Sequence, residues 1–346
     1  MLAHRLARAV GFDTSFIGGQ QDGATFSDVD FWPVRPSFWS PALWSTTSTN
    51  LRYAAVVAEA LKKLEPALIE VHNRPEIALA LATRLPAIPV IAFLHNDPSG
   101  MRGAATPAER TQMLRRLARV VTPSAYLRQR LLDGVAAPDK DPVVLPNCLD
   151  LADLPPRGPR ERLVLFAGRV VADKGPDAFI AACAAALPHL PGWEAEIIGA
   201  DRFRFDSPDT RFVQMIRAAA AGANVRMLGY RDHPDVMSAM ARAAIVVVPS
   251  RWAEPFGLVA LEALASGAAL ICSPRGGLPE VAGDAAVYAD PDRPEEIATA
   301  IRGLAADEPR RAELADAGWQ RAQQFDVPVI AAQLAALRHD VLARRG

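Results

Sequence analysis

Short apolar runs alternate along this chain with segments whose apolar positions recur at helical spacing. The apolar runs are rich in β-branched residues and end at Gly, Pro or polar residues, which is typical of buried strands in a parallel sheet. Strands are predicted at residues 12–17, 67–71, 89–94, 120–122, 143–145, 163–167, 194–198, 225–228, 244–248 and 286–288. Helices are predicted at residues 2–10, 51–64, 106–119, 256–266, 294–306, 310–323 and 327–345. This alternation predicts an α/β fold built on parallel sheets.

The length and composition fit two ordinary globular domains. The chain has 346 residues, of which 50% are apolar and 22% are charged, so each domain can bury a core of its own. The net charge is −1, and no overall field attracts nucleic acid. The three cysteines lack the spacing of a metal site, and the sequence has neither a membrane-spanning run nor a signal peptide. These features predict a cytoplasmic protein without a bound metal.

A glutamate-bearing loop and a helix follow the strand at residues 244–248. The loop carries Glu254, Pro255 fixes the backbone for a helix start, and leucines recur at helical spacing up to Gly267. Glycine at that position is typical of a left-handed helix cap. The helix is therefore predicted to span residues 256–266.

The start of this helix predicts a site for an anion. The backbone N–H groups of Phe256, Gly257 and Leu258 lie at the positive end of the helix dipole, where phosphate or sugar oxygens bind. The carboxylates of Glu254 and Glu262 flank these amides, and carboxylates repel phosphate but accept hydrogen bonds from hydroxyls. For either glutamate alone, an ordinary loop residue or a solvated helix charge is the simpler interpretation. Together the groups favour a site for a nucleotide sugar.

These residues resemble the donor site of the retaining GT-B glycosyltransferases of family 4. The shared pattern has two glutamates separated by seven residues and a Pro-Phe-Gly after the first of them. It continues after the next strand with Gly276, Gly277, Pro279 and Glu280. The resemblance extends over most of the chain.

The resemblance implies an architecture of two Rossmann-like domains that face each other across a cleft. Residues 1–150 would form the acceptor-side domain, and residues 151–325 would bind the nucleotide-sugar donor. A C-terminal helix at residues 326–346 would pack back on the first domain. In the family, the first domain opens with a core strand, whereas here a helix at residues 2–10 comes first. The N-terminal domain is therefore expected to lack its first strand, or to receive it from another segment.

Two cationic residues lie in the loop that follows the strand at residues 163–167, and a glycine stands at each end of this loop. The resemblance assigns Arg169 and Lys174, beside Gly168, to the donor diphosphate. A fixed guanidinium and a fixed ammonium would stabilise charge on the leaving diphosphate without a metal ion. A surface ion pair between Lys174 and Asp173 is the alternative interpretation.

The resemblance also implies roles for residues elsewhere in the second domain. Glu262 would bind the ribose hydroxyls, and Glu254 would bind the sugar together with the helix amides. Gly199 ends a strand at a point where the backbone can pass close to a nucleobase. Tyr230 follows the next strand and is expected to contact the donor.

Polar residues also follow two strands of the first domain, at the edge where open α/β sheets bind ligands. His95 follows one strand, and the resemblance implies that it reaches the donor sugar from this domain; a structural hydrogen bond is the alternative interpretation. His72, Asn73 and Arg74 follow another strand. All three are candidates for contact with the acceptor, but for His72 and Asn73 a role as caps of the helix that starts near Pro75 fits equally well.

Two other stretches of the first domain allow more than one interpretation. Arginines are frequent at residues 106–130 and could meet an anionic lipid or a polyanionic acceptor, although such a stretch is usually a solvated face. A cytoplasmic protein that also contacts the inner face of the membrane is therefore compatible with the sequence. A loop rich in Trp and Pro, residues 32–44, is expected to be irregular: it could be disordered or cover an acceptor groove, although large apolar rings in loops more often form small satellite cores.

The resulting hypothesis is a metal-independent hexosyltransferase that retains anomeric configuration and needs no cofactor. It would move a hexose from a donor such as UDP- or GDP-hexose to a hydroxyl of a glycan or lipid-linked saccharide, as in polysaccharide biosynthesis. Catalytic roles fall to Arg169, Lys174, Glu254 and His95. Two alternatives stay open. One is a catalytically impaired homologue that binds nucleotide sugars, and the other is a sugar-nucleotide epimerase or phosphorylase on the same scaffold.

Overall fold

The computed structural model describes residues 6–7, 10–19, 29–34, 48–136, 138, 140–202, 204 and 206–344. The chain divides into two compact units. The first unit comprises Met1–Asn147 and Val327–Gly346, and the second comprises Cys148–Asp326. The boundary predicted at residue 150 lies close to this division.

The secondary structure alternates as the hydrophobic pattern predicts. The strands are β1 Ser15–Gly19, β2 Asp30–Val34, β3 Ile69–His72, β4 Val90–Phe93, β5 Arg119–Thr122, β6 Val143–Val144, β7 Glu161–Ala167, β8 Glu194–Ile198, β9 Val225–Gly229, β10 Ala243–Val248, β11 Ala269–Cys272 and β12 Ala286–Tyr288. The helices are α1 Thr49–Leu64, α2 Pro75–Arg84, α3 Pro107–Arg116, α4 Ala125–Leu132, α5 Pro176–Ala186, α6 Arg211–Gly222, α7 His233–Arg242, α8 Leu258–Ala265, α9 Leu278–Ala282, α10 Pro294–Ala306, α11 Glu308–Ala322 and α12 Val327–Ala343.

The described residues of the first unit form two parallel sheets, one of order β1-β2 and one of order β3-β4-β5-β6. The prediction of an irregular loop at residues 32–44 is wrong at its start, because residues 32–34 belong to β2. Pro33 does not break this strand, since proline is tolerated at the edge of a sheet. The remainder of that loop, and most of the helix predicted at residues 2–10, lie outside the described residues.

Each sheet of the first unit has an edge strand with one unpaired side among the described residues. There, β1 pairs only with β2, and β3 pairs only with β4. Residues of both β1 and β3 line one cavity of about 1090 Å³ within this unit. The expectation that the unit lacks a core strand stays a prediction.

The C-terminal helix α12 belongs to the first unit. Its Arg338 is 5% exposed and donates two hydrogen bonds to the Glu70 carboxylate of β3, at 2.8 and 2.7 Å. Farther along the helix, Asp340 accepts a hydrogen bond from Arg119 at 2.8 Å. The last helix is therefore tied to the main sheet of the first unit by two ion pairs.

The second unit is a six-stranded parallel sheet of order β12-β11-β10-β7-β8-β9. Its central strand β10 is buried on both faces. Val246 and Val248 belong to the core on one face, and Ile245 and Val247 belong to the core on the other. This double burial explains why the strand is continuously apolar rather than alternating.

The connections beyond the carboxyl ends of these strands pack backbone against backbone. Gly199 has φ +143°, and a Cβ added there would lie 1.8 Å from the carbonyl oxygen of Gly168. Gly175 has φ +70°, and an added Cβ would lie 2.1 Å from the carbonyl oxygen of Pro249. Only glycine fits these two positions.

We expect Gly199→Ala to lower the free energy of unfolding by roughly 2 kcal/mol or more, because the methyl group must push two loops apart. Urea unfolding of the purified protein measures this change. Gly303→Ala is the matched control, since Gly303 lies inside α10 and an added Cβ meets nothing within 4 Å. Helix propensity predicts a gain of roughly 0.5 to 1 kcal/mol for this control. Equal stability of Gly199→Ala and the parent would contradict the close loop packing.

Candidate active site

The strand order of the second unit creates a crevice between β7 and β10. From β7 the chain proceeds through β8 to β9 on one side, and β10 then pairs with the opposite edge of β7 and continues through β11 to β12. Ligands of open α/β sheets bind outside the carboxyl ends of the strands at such a switch point. The loops after β7 and β10 carry Arg169, Lys174 and Glu254, three of the predicted donor residues.

These two loops are joined by hydrogen bonds to one carbonyl group. After β7 the chain forms a 3₁₀ turn at Ala172–Lys174. The carbonyl oxygen of Asp173 in this turn accepts hydrogen bonds from the backbone N–H groups of Arg251 and Trp252, at 2.8 and 3.0 Å. The Arg251 guanidinium also binds the Asp177 carboxylate at the start of α5 through two hydrogen bonds of 2.8 Å. The position of Lys174 is thereby fixed relative to the loop after β10.

Lys174 forms a salt bridge with Glu254 across this junction. The side chains are 25% and 13% exposed, so the pair is shielded but still reachable from solvent. Ser250 donates a further hydrogen bond to the same carboxylate oxygen of Glu254 at 2.8 Å. The alternative pairing of Lys174 with Asp173 is thus not the one that the structure contains. A cation and a carboxylate predicted from separate motifs meet at the switch point.

The helix after this loop begins later than predicted. Gly257, with φ 110° and ψ 57°, is the N-cap, and α8 starts at Leu258 rather than at Phe256. The Phe256 ring is 4% exposed and packs edge-on against Phe325 with ring centroids 5.7 Å apart. The amides with no partner inside the helix are therefore those of residues 257–260. The side chain of Phe256 is part of the core, and only its backbone could meet a ligand.

Glycines also place Glu254 against the segment after β11. A Cβ at Gly276 would lie 2.4 Å from both the backbone nitrogen and the backbone oxygen of Glu254. Gly277 donates a backbone hydrogen bond to the Glu254 carbonyl at 2.7 Å. The glycines after β11 therefore serve to pack this loop, which is a more specific role than sequence reasoning assigned to them.

The second glutamate has a partner that sequence reasoning missed. Glu262 lies on α8, and its Oε1 lies 2.9 Å from Nε2 of His233, the first residue of α7. Glu262 is 14% exposed and His233 is 33% exposed. No spacing rule links the two residues, because the contact depends on how α7 and α8 pack.

The remaining predicted donor residues lie at the same edge of the sheet. Gly168 and Arg169 directly follow β7, and Arg169 is half-buried. The N–H of Gly199 donates a hydrogen bond to the carbonyl of Gly229 at 2.8 Å. Tyr230 follows this glycine at the end of β9 and is half-buried. The carboxyl ends of β7, β8, β9 and β10 thus present all of these groups on one side of the second unit.

The first unit holds a pair of histidines at the ends of adjacent strands. Nδ1 of His72 lies 3.0 Å from Nε2 of His95, and the His72 ring stacks on Phe93 at 4.7 Å. Asn73, at φ 60°, accepts a hydrogen bond from the backbone N–H of His95 at 3.1 Å. The Asn73 side chain therefore holds these two strand ends together and does not cap α2. Arg74 is exposed and precedes α2 without a side-chain cap.

Both histidines are kept neutral by their surroundings. Burial lowers the pKa of His72 to about 4, assisted by the positive charge of Arg338. Burial also lowers the pKa of His95 to about 4, assisted by His72. One ring therefore donates and the other accepts in the hydrogen bond between them. Both side chains line the cavity of the first unit.

The arginine-rich stretch of the first unit is largely engaged within the protein. Arg110 is 5% exposed and donates to the carbonyl groups of Ala104, Ala105 and Asp133. Arg130 donates to the Asp97 carboxylate at 2.9 Å. No helix in the described part of the chain is both long and apolar enough to cross a membrane. Within the same residues, no three His, Cys, Asp or Glu side chains gather as metal ligands would.

Two family models match almost the whole chain. The model described as Glycosyltransferase Family 4 matches residues 1–153, and the model described as Glycosyl transferases group 1 matches residues 155–321. The chain belongs to the family 4 glycosyltransferases. The prediction of this family from the two glutamates and the glycine motifs is confirmed.

Relatives of this family 4 glycosyltransferase include enzymes with different names. It is 33% identical to the D-inositol 3-phosphate glycosyltransferase of Corynebacterium aurimucosum over 186 residues, which cover 53% of this chain and 44% of that protein. The chain therefore matches less than half the length of this relative. It is 29% identical to the glycogen synthase of Mycobacterium tuberculosis over 317 residues, which cover 83% of this chain and 72% of that protein.

Solved structures confirm the GT-B fold of this family 4 glycosyltransferase. Sucrose-phosphate synthase from Thermosynechococcus elongatus matches with a TM-score of 0.78 at 20% identity, covering 98% of this chain and 92% of that chain. Anabaena HepE in complex with UDP matches with a TM-score of 0.71 at 21% identity, covering 83% of this chain and 82% of that chain. Identities this low establish the architecture of two α/β units and no more.

The neutral histidine pair predicts an acid-sensitive stability. The unfolded chain binds protons at His72 and His95 from about pH 6.5, whereas the folded chain binds them only near pH 4. The free energy of unfolding should therefore fall as the pH drops from about 6.5 towards 4. Urea unfolding at about pH 7 and about pH 5 measures this loss of stability. The loss should be smaller in a double variant with both His72→Gln and His95→Gln.

His189→Gln provides the control for this pH dependence, because His189 is exposed in the second unit. It should lose the same amount of stability as the parent between the two pH values. An equal loss in the double His72 and His95 variant would contradict the assignment of the acid sensitivity to the pair.

Proposed function

We propose that this family 4 glycosyltransferase transfers a hexose from a nucleoside diphosphate sugar to a hydroxyl group of a glycan or lipid-linked saccharide. The transfer retains anomeric configuration and needs no metal ion. The observation that carries the proposal is the contact of Lys174 with Glu254 at the switch point of the second unit. It unites an ammonium group that can bind phosphate and a carboxylate that can accept hydrogen bonds from hydroxyls, where open α/β sheets bind ligands.

The donor has partners for each of its parts in the second unit. Glu262 accepts hydrogen bonds from the ribose hydroxyls, and Arg169 and Lys174 bind the diphosphate. Lys174 has three N–H donors, so it can bind phosphate oxygens while it keeps Glu254. The Glu254 carboxylate and the amides at the start of α8 bind hydroxyls of the hexose.

Catalysis follows from stabilising the leaving group and positioning the acceptor. The bond between the anomeric carbon and the diphosphate oxygen breaks, and the acceptor oxygen bonds to the same carbon. The acceptor proton passes to the phosphate oxygen that leaves, on the same face of the sugar. A contact between His95 and the donor sugar is a prediction that rests on the family resemblance.

The solved relatives indicate which donor to test first. HepE structures are described in complex with UDP, with UDP and glucose, and with UDP-glucose. Thermal-shift measurements with UDP-glucose and other UDP- and GDP-hexoses test donor binding, because a ligand that binds the folded state raises its melting temperature. No shift with any nucleotide sugar would contradict the proposal.

We expect Lys174→Ala to lower the rate of nucleoside diphosphate release by roughly 10² to 10³ at saturating donor, because a fixed cation at the leaving group is lost. A coupled assay for the released nucleoside diphosphate measures this rate. Lys62→Ala is the control, since Lys62 is 54% exposed in the first unit and pairs only with Glu59 in the described structure. Its rate should equal that of the parent. A parental rate in Lys174→Ala would remove Lys174 from the mechanism.

Retention predicts the stereochemistry of the product. An α-linked donor should give an α-linked product in the first turnover, because attack and departure occur on the same face. Proton NMR of the anomeric signal during the reaction measures this outcome. A β-linked first product would show inversion and would require a general base that the proposal does not contain.

A further inference from the structure

A histidine outside the predicted site supports one of its carboxylates. His233 opens α7, directly after the Asp232 N-cap, whose side chain accepts a hydrogen bond from the Asp235 N–H at 3.1 Å. Nε2 of His233 lies 2.9 Å from Oε1 of Glu262. The imidazole therefore starts from a fixed helix end and reaches the neighbouring helix α8.

We infer that His233 positions the Glu262 carboxylate and so determines how strongly the protein distinguishes a ribonucleotide from a 2′-deoxyribonucleotide. The inference rests on the proposed function, in which Glu262 binds the ribose hydroxyls. His233 acts through Glu262 and is a positioning residue, with no contact to the reacting atoms.

The hydrogen-bonding capacity of the carboxylate supports this role. Oε1 of Glu262 faces His233, whereas Oε2 receives no hydrogen bond from the residues that the structure describes. A carboxylate has about four acceptor sites on its two oxygens. With one site given to His233, the others remain for the paired hydroxyls of a ribose. Glu254 shows the same arrangement, because Ser250 and Lys174 both contact its Oε1.

Fixing the carboxylate in advance makes its hydrogen bonds more effective. A glutamate side chain has several rotamers, and ordering them on binding costs free energy that a preorganised group does not lose. A site built to bind a hydroxyl also discriminates against an analogue that lacks it, since its polar groups are then left unpaired. His233 should therefore strengthen ribonucleotide binding while it leaves deoxyribonucleotide binding almost unchanged.

Calorimetric titration of the full chain tests the inference. UDP, GDP and ADP are each compared with their 2′-deoxy forms, and the tightest ribonucleotide is used for the variants. His233→Ala should weaken binding of that ribonucleotide by about 3- to 10-fold, the worth of one hydrogen bond. Binding of the 2′-deoxy form should change little. The ratio of the two dissociation constants should therefore fall towards one.

Two substitutions separate positioning from general packing. In His233→Gln the amide N–H reaches about as far as Nε2 of histidine, so the parental ratio should return. In His233→Asn the amide reaches only as far as Nδ1, so the ratio should stay low. A packing defect would weaken ribonucleotide and deoxyribonucleotide binding alike, and a parental ratio in both His233→Ala and His233→Asn would overturn the inference.

Glu262→Ala distinguishes failure of the inference from failure of the proposed function. If Glu262→Ala keeps the parental ratio, the ribose role of Glu262 is wrong and the proposed donor site fails. If Glu262→Ala removes the discrimination and His233→Ala does not, only the role of His233 is wrong. His189→Ala, an exposed histidine of the same unit, should retain the parental ratio.

Discussion

The second unit depends on the approach of backbone to backbone beyond the carboxyl ends of its strands. The loops after β7, β8, β10 and β11 contact each other through glycines, and at Gly175, Gly199 and Gly276 an added Cβ would lie within about 2.4 Å of a neighbouring backbone atom. A side chain at any of these positions would force the loops apart. Gly175 brings the loop after β7 against Pro249 at the end of β10, and Gly276 brings the loop after β11 against Glu254. The loops that carry Lys174 and Glu254 are therefore held together by their backbones.

That close approach also fixes the charges of the site. Lys174 and Glu254 are separated by 80 positions in the chain, yet they form a salt bridge because the Asp173 carbonyl binds two amides of the other loop. The pair neutralises itself in the structure and remains partly exposed. In the proposed donor complex, the diphosphate would meet a lysine whose position is already determined, so little reorganisation would be needed for binding. The arginine at residue 251 supports this arrangement from outside through Asp177 and Asp292.

The sequence was sufficient to predict the fold and the family, because these depend on local patterns. Apolar runs predicted β7, β8 and β10, and the paired glutamates predicted the family. Contacts that depend on tertiary packing were not predictable. The partnership of His233 with Glu262 joins two helices without any spacing rule, and Asn73 connects two strands through a left-handed backbone that no pattern indicated. The strand β2 was missed because its Trp and Pro residues indicate a loop.

The two units differ in the charge state of the ionisable groups at the ends of their strands. The second unit keeps a cation and a carboxylate partly exposed at its switch point, whereas the first unit holds His72 and His95 as neutral, half-buried rings, with the charge of Arg338 acting on His72. Protonation of His72 would place a second positive charge beside Arg338, and burial opposes protonation of both rings. A neutral imidazole can donate one hydrogen bond and accept another without presenting a charge. The cavity of the first unit that these rings line therefore offers hydrogen-bonding groups from the pair, whereas the second unit offers paired opposite charges.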